Sequence, residues 1–142
     1  MKSLNKTFTP IKDQANRKWY LIDCKDQKLG RLATIVTNLL KGKGKPEYCP
    51  SIDIGDYVIL TNSDLIILNK TVQHYFVYKP GHPGRSLKIK TASDCISELI
   101  IKRAVKRMLS KTESKKLMRR LKIYKNIDHQ NKSQNPIEIT IK

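Results

Sequence analysis

The first half of the chain alternates between short apolar runs and one amphipathic segment. Residues 19–22 and 57–60 are aromatic and β-branched runs with the length of strands. Between them, apolar residues recur at helical spacing from Leu32 to Leu40, and a loop of lysine and glycine follows. A helix between two such runs is typical of a crossover connection, so the pattern predicts two parallel strands. Trp19 heads the first run, and we expect it to be a packing residue.

The second half adds a further strand and two helices with basic faces. The continuous apolar run 65–68 predicts a strand that is covered on both faces. Residues 93–94 can cap a helix that runs to about Leu109, with an apolar face and a face of lysine and arginine. Ser110 and Glu113 have the spacing of a capping box, which predicts that another helix starts there.

Composition adds one strong feature, which is an excess of positive charge. The 142 residues include 29 Lys and Arg against 12 Asp and Glu, a formal net charge of +17. A compact chain with this charge repels itself, so the sequence predicts a partner that carries many phosphates or an anionic surface. More than half of the excess lies in residues 101–142. We therefore expect the two basic helix faces to form a phosphate-binding surface.

The length fits a single α/β domain that buries its own core. We expect a basic arm over residues 1–17, a body over 18–125 and an extension over 126–142 that includes a short extended segment at 136–139. No apolar run approaches the ~20 residues of a membrane-spanning helix, and the start lacks the apolar stretch of a secretory signal. The three cysteines are scattered, so we expect reduced thiols in the compartment where the protein is made.

Two loops combine cations with turn residues. Residues 41–46 alternate lysine with glycine before a proline, which predicts a helix end with exposed backbone amides that phosphate can approach. Residues 79–85 suit either a stiff surface loop or docking into folded RNA. Gly30 is expected to allow a close backbone approach before the first helix, and Arg31 beside it would favour a nearby anion.

Candidate catalytic chemistry is sparse. Cysteine and histidine are too dispersed to indicate a metal site, and the sequence contains no nucleophile motif and no nucleoside-triphosphate fingerprint. An enzyme of nucleotide or nucleic-acid metabolism remains an alternative, with Asp23 or Asp56 at a strand end as its carboxylate, although a turn-forming role is favoured for Asp23. A peripheral protein on anionic membranes is a second alternative. We expect no cofactor, no metal and no small-molecule substrate.

Short motifs are spread in order over about residues 18–135. They are Trp19-Tyr20-Leu21-Ile22-Asp23, Leu29-Gly30-Arg31-Leu32-Ala33-Thr34, Gly42-Lys43-x-Lys45-x-Glu47-Tyr48, Gly55-Asp56-Tyr57, Gly81-His82-Pro83-Gly84, Ala104-Val105-Lys106-x-Met108-Leu109 and Arg120-Leu121-Lys122-Ile123-Tyr124. Together they resemble the large-subunit ribosomal protein thirteen family of the bacterial type. The resemblance implies an α/β fold around a mostly parallel four-stranded sheet flanked by helices, with basic loops and extended termini. It also implies no catalytic activity, binding to large-subunit ribosomal RNA beside neighbouring ribosomal proteins, and a role early in subunit assembly.

The RNA-facing side chains are predicted from the resemblance and from the basic helix faces. Lysine and arginine would displace counterions from phosphates, while Tyr48, Tyr78 and His82 would stack on unpaired nucleotides or hydrogen-bond to them. The predicted set is Arg31, Lys41, Lys43, Lys45, Tyr48, Lys79, His82, Arg85, Lys106, Arg107, Arg119, Arg120, Lys122 and Lys125. We expect that joint removal of four of these charges impairs incorporation into the subunit and spares the fold. The four are Lys43, Lys45, Arg119 and Arg120.

One segment departs from the family pattern. Where the family has a glycine before Met-Leu and a Pro-Lys-Gly-Pro-like stretch after it, this chain has Arg107 and then the polar, basic residues 110–115. We expect a more helical connection with added positive charge there. Lysine greatly outnumbers arginine, a bias that AT-rich coding produces. A plastid genome and the genome of a low-GC bacterium explain this bias equally well. We therefore expect a ribosome either of the plastid stroma or of the bacterial cytoplasm.

Overall fold

The computed structural model describes residues 16–68, 75–78, 81, 87–90 and 95–141. Within these ranges the elements are β1 (Trp19–Asp23), α1 (Leu29–Lys41), β2 (Tyr57–Thr61), β3 (Tyr75–Tyr78), β4 (Leu87–Lys90), α2 (Ser97–Met108), α3 (Ser114–Met118), β5 (Leu121–Ile123) and β6 (Ile137–Ile139). β3 and β4 pair with each other as an antiparallel hairpin.

The other four strands form one parallel sheet in the order β5-β2-β1-β6. β1 and β2 lie side by side, with Trp19 opposite Tyr57 and Asp23 opposite Thr61, and α1 connects them. β5 pairs with β2, and β6 pairs with β1, both in the parallel direction. The predicted crossover and the α/β class with a mostly parallel four-stranded sheet are confirmed. The extended segment predicted at 136–139 contributes the outer strand β6.

One face of this sheet packs on α1 and α2. Alternate side chains of a strand point to opposite faces, so Ile22 of β1 shares a face with Val58 and Leu60 of β2, once the register is applied. All three are fully buried in one cluster with Val36 of α1 and Ile101 of α2. The sheet and these two helices therefore form the main core. Burial of each side chain of this size stabilises the fold by about 1.5–3 kcal/mol.

On the opposite face of the sheet, two aromatic rings stack at the start of β1 and β2. The rings of Trp19 and Tyr57 stack with their centroids 4.3 Å apart and an interplanar angle of 10°. This contact confirms that Trp19 is a packing residue. Farther along the chain, the hydroxyl of Tyr124 donates to Oδ1 of Asn131 over 2.7 Å and holds the segment between β5 and β6.

The run 65–68 is not a strand, so that prediction is wrong. Ser63–Leu65 forms a single 3-10 turn, and Leu65 and Ile67 are 53% and 49% exposed while Ile66 between them is buried. Ile67 makes one isolated bridge, to Lys28. A continuous apolar run carries no periodicity, and therefore the sequence could not show that alternate side chains would face outward.

α2 begins later than predicted. Its first residue is Ser97, whose hydroxyl donates to the carboxylate of Asp64, and Ile96 before it has an extended backbone and is 54% exposed. Residues 93–94, the predicted cap, lie outside the described residues. The contact with Asp64 comes from a distant part of the chain, and for this reason local sequence did not reveal the start of the helix.

The predicted capping box is also wrong. The hydroxyl of Ser110 donates to the carboxylate of Glu113 over 2.8 Å, within a turn that precedes α3. In a capping box these side chains would bind backbone N–H groups instead. The connection after α2 is therefore a turn followed by a short helix from Ser114, and β5 follows that helix as a strand that the sequence analysis did not predict.

Gly55 fits closely against the last turn of α1. A β-carbon at this position would lie 1.8 Å from the carbonyl oxygen of Leu40, which is backbone and cannot rotate away. We expect Gly55→Ala to lower the free energy of unfolding by about 3 kcal/mol, because the loop would have to move away from α1. Gly44→Ala is the control, since an added β-carbon there meets no atom within 4 Å. Urea unfolding followed by circular dichroism would contradict this packing if the two variants had equal midpoints.

Candidate nucleic-acid interface

The lysine and glycine loop after α1 is closed by its own backbone. Gly42 has a φ of 74°, a left-handed conformation that glycine adopts without strain, and it ends α1. The N–H groups of Gly42 and Lys43 donate to carbonyl oxygens in the last turn of the helix. Those of Lys45 and Tyr48 donate within the loop. The expectation of backbone amides open to phosphate is therefore wrong for Gly42, Lys43 and Lys45, and the loop presents side chains instead.

Lys45 points into the body of the protein. Its Nζ lies 2.6 Å from Oδ1 of Asp56 and donates to the carbonyl oxygens of Asn16 and Ile54, each over 3.0 Å. Asp56 is 2% exposed and also accepts from the backbone N–H of Lys18. The ammonium group has three donors, and all three are used here. Lys45 is therefore corrected from an RNA-facing residue to one that fastens the loop to the start of β2.

Arg120 is also turned inward. It is 5% exposed, and its guanidinium donates to the carbonyl oxygen of Gly55 over 2.6 Å and to the carboxylate of Asp53. These bonds join the start of β5 to the loop before β2. The prediction that Arg120 faces RNA is corrected for this reason. Its neighbour Arg119 is exposed.

Most of the other predicted cations that the structure describes face solvent. Arg31 lies in the first turn of α1, next to Gly30, where an added β-carbon would meet no atom within 4 Å, so the expected close approach is not found. The exposed members of the predicted set are Arg31, Lys43, Lys106, Arg107, Arg119, Lys122 and Lys125, and Lys41 is half-buried. The ion pairs between described residues involve none of them. Lys79, His82 and Arg85 lie outside the described residues.

A groove between α2 and α3 brings two of these cations together. The helix groove, as we call it, has a volume of about 420 Å³ and contains Lys106 and Arg119. Three cations that belong to the predicted basic helix faces, but not to the predicted RNA-facing set, also line it, and its apolar part comes from Leu99 and Met118. The three are Lys102, Arg103 and Lys115. The helical spacing from Lys102 to Lys106 places both on the basic face of α2, as predicted.

A second depression lies between the lysine and glycine loop and the turn after α2. The loop cleft, as we call it, also has a volume of about 420 Å³. Lys41 and Tyr48 of the predicted set line it, together with Lys116 of α3. Tyr48 is 37% exposed. The fold thus places Lys116 in the same cleft as Lys41 and Tyr48, although it lies far from them in the sequence.

Cysteine side chains give this cleft a chemical probe. Cys49 lines the loop cleft, and a hydrogen bond with the Ser51 hydroxyl lowers the pKa of its thiol. Cys24 is fully buried, and its burial, with a smaller effect of the Asp23 charge, raises its pKa to about 12. Because thiolates are the reactive form, Cys49 should react with alkylating reagents at neutral pH while Cys24 stays protected.

The carboxylates of the enzyme alternative are engaged in structural bonds. Oδ1 of Asp23 accepts from the backbone N–H of Lys25 over 3.0 Å and from the side-chain amide of Asn62 over 2.9 Å, so the predicted turn-forming role is confirmed. Asp56 holds Lys45, as described above. In the described part of the chain, no group of three or more metal-binding side chains occurs, and no helix is long and apolar enough to cross a membrane.

Comparison with known proteins gives a consistent match. The family model described as ribosomal protein L13 matches residues 17–130. The chain is 42% identical over 137 residues to the large ribosomal subunit protein uL13c of Trieres chinensis, covering 96% of this chain and 97% of the relative. It is 40% identical over 144 residues to uL13 of Prochlorococcus marinus strain SARG, with coverage of 97% and 95%. It is 39% identical over 145 residues to uL13 of Petrotoga mobilis, with coverage of 99% and 96%.

Proposed function

Because this chain belongs to the ribosomal protein L13 family, we propose that its exposed basic side chains bind the RNA of the large ribosomal subunit. Family membership makes it a structural, non-enzymatic constituent of that subunit. Phosphates of folded RNA would take up the charge that the chain cannot neutralise by itself. The enzyme and membrane alternatives are set aside on the strength of the family.

The single observation that supports RNA contact best is the separation of two kinds of cation. Lys45 and Arg120 are used inside the body, whereas Lys106, Lys115 and Arg119 are exposed around the helix groove. The carboxylate of α2, Glu98, forms an ion pair with Lys102 and not with these three cations. An exposed ion pair contributes little to stability. We therefore expect the exposed cations of the groove to bind a polyanionic partner instead of stabilising the fold.

We propose the helix groove, the exposed residues of the lysine and glycine loop, and the predicted residues of the 79–85 loop as the RNA-binding surface. Arg31, Lys122 and Lys125 extend it. Neighbouring large-subunit proteins and a role early in assembly are part of the same proposal. For the compartment we propose either the plastid stroma or the cytoplasm of a low-GC bacterium, since the lysine bias of the sequence fits both equally well. Residues 1–17 and 126–142 would act as an arm and an extension on the body.

Sedimentation tests this proposal in its native setting. We expect the chain to migrate with the large subunit when a cell extract is run through a gradient that contains magnesium. It should leave the subunit when the salt concentration is raised, because its contacts with RNA are mainly electrostatic. Migration of the native chain as a free protein, apart from ribosomal subunits, would contradict the proposed function.

A further inference from the structure

We infer that the loop cleft holds one unpaired nucleotide of the bound RNA, with its base stacked on Tyr48. This inference rests on the proposed function and gives one part of the RNA surface a specific ligand. A flat basic surface can bind only the phosphates of the RNA backbone, whereas a cleft with an aromatic wall can also bind a base. Recognition of unpaired bases by stacking on aromatic side chains is common in RNA-binding proteins.

The shape of the cleft fits a ligand of this size. Its volume of about 420 Å³ lies in the range of pockets for small ligands, which is roughly 300–1,000 Å³. One side is formed by Tyr48 and the residues that follow it, and the other by Thr112 of the turn and Leu117 of α3. The ring of Tyr48 is available to a base because the residue is 37% exposed.

The charges in the cleft favour a phosphate beside the base. Lys41 and Lys116 line the cleft, and neither takes part in an ion pair between described residues. Two carboxylates are also present, but both already accept hydrogen bonds: Asp53 from Arg120 and Glu113 from Ser110. An incoming acidic peptide would also meet these cations. The exposed aromatic ring makes a nucleotide the better fit, since every base offers a π-face.

Hydroxyl groups give the cleft a means of contact with the ribose or the base edge. Ser51 and Thr112 line it beside the cations. A hydroxyl can donate one hydrogen bond and accept two, so it can pair with a 2′-hydroxyl or with either type of group on a base. Duplex RNA would not enter, because its bases are stacked inside the helix. The ligand is therefore a nucleotide in a loop, a bulge or a single-stranded end.

Substitution of Tyr48 tests the stack at constant charge. With a cognate large-subunit rRNA fragment, we expect Tyr48→Ala to weaken binding by about 5- to 100-fold, the loss of one base stack. Tyr48→Phe should stay within about threefold of the wild type, because it keeps the aromatic face. Filter binding at one fixed salt concentration measures both. Unfolding midpoints equal to that of the wild type would show that neither variant acts through stability.

Alkylation of Cys49 gives a second readout that does not depend on any substitution. Bound RNA should slow the labelling of Cys49, while Cys95, which is half-buried and outside the cleft, should keep its rate. Cys24 serves as the unreactive internal reference. Mass spectrometry of the labelled peptides distinguishes the three cysteines.

The outcomes separate this inference from the proposed function. If Tyr48→Ala binds RNA as tightly as the wild type and RNA leaves Cys49 labelling unchanged, the nucleotide site is wrong while RNA binding stands. If Tyr48→Ala keeps its RNA affinity but fails to join large subunits in reconstitution, the cleft holds a neighbouring protein, and the inference is again overturned. Absence of RNA binding by the wild-type chain would overturn both proposals.

Discussion

Arg120→Met is expected to lower the free energy of unfolding by about 3–5 kcal/mol, while Arg119→Met leaves it nearly unchanged. The guanidinium of Arg120 is buried, and its removal leaves the carboxylate of Asp53 and the carbonyl oxygen of Gly55 without this donor. The Asp53 side chain is only 21% exposed, so water can replace the lost donor only in part. Arg119 is exposed and lines the helix groove. Its replacement by the unbranched side chain of methionine should therefore change the free energy of unfolding little.

The two adjacent arginines should therefore show opposite defects. Urea unfolding is expected to move the midpoint of Arg120→Met well below that of the wild type, with the same slope if only stability has changed. Arg119→Met should unfold like the wild type but bind the rRNA fragment less tightly, by about fivefold for one phosphate contact. Equal stability of both variants would mean that the buried contacts of Arg120 are not needed for the fold.

Removal of three cations from the helix groove is expected to weaken rRNA binding by about 100-fold at physiological salt. This groove variant, as we call it, carries Lys106→Met, Lys115→Met and Arg119→Met, all at exposed positions that line the groove. Each lost phosphate contact removes the entropy gain from about one released counterion. The fold should be unaffected, since none of the three takes part in an ion pair between described residues.

A control with the same net charge separates a defined surface from general attraction. Lys18, Lys25 and Lys28 are exposed and lie outside the groove, so their joint replacement by methionine removes the same amount of charge. We expect this variant to lose less than about tenfold in affinity, the part that comes from long-range attraction. Equal losses in the two triple variants would mean that net charge alone, and not the groove, determines binding.

The elements marked by a local sequence pattern were predictable, and those defined by distant contacts were not. The short aromatic and β-branched runs of β1 and β2 and the helical spacing of α1 are local patterns, and the structure has all three elements where they were expected. β5 has only three residues, Leu121–Ile123, and is a strand because it pairs with β2. No window of sequence around it contains that information. The same holds for the contact between Ser97, at the start of α2, and the distant Asp64.

The charged residues show the same limit more sharply. Arg119 and Arg120 are adjacent and chemically identical, and a count of charge treats them alike. Only the fold shows that one of them contacts Asp53 and Gly55, which are distant in the sequence. Lys43 and Lys45 differ in the same way, since Asp56 binds the second of them. The expected joint removal of Lys43, Lys45, Arg119 and Arg120 would therefore damage the fold as well as RNA binding, and the groove variant replaces it.

The salt dependence of rRNA binding is the most direct measurement of how this surface works. The affinity of the wild-type chain for a large-subunit rRNA fragment should be measured between about 50 and 200 mM salt, alongside the groove variant. We expect the logarithm of the binding constant to fall linearly with the logarithm of salt concentration, and the slope of the groove variant to be smaller by about 2–3. An affinity that stays constant across this range, or an identical slope for both proteins, would contradict binding through exposed cations.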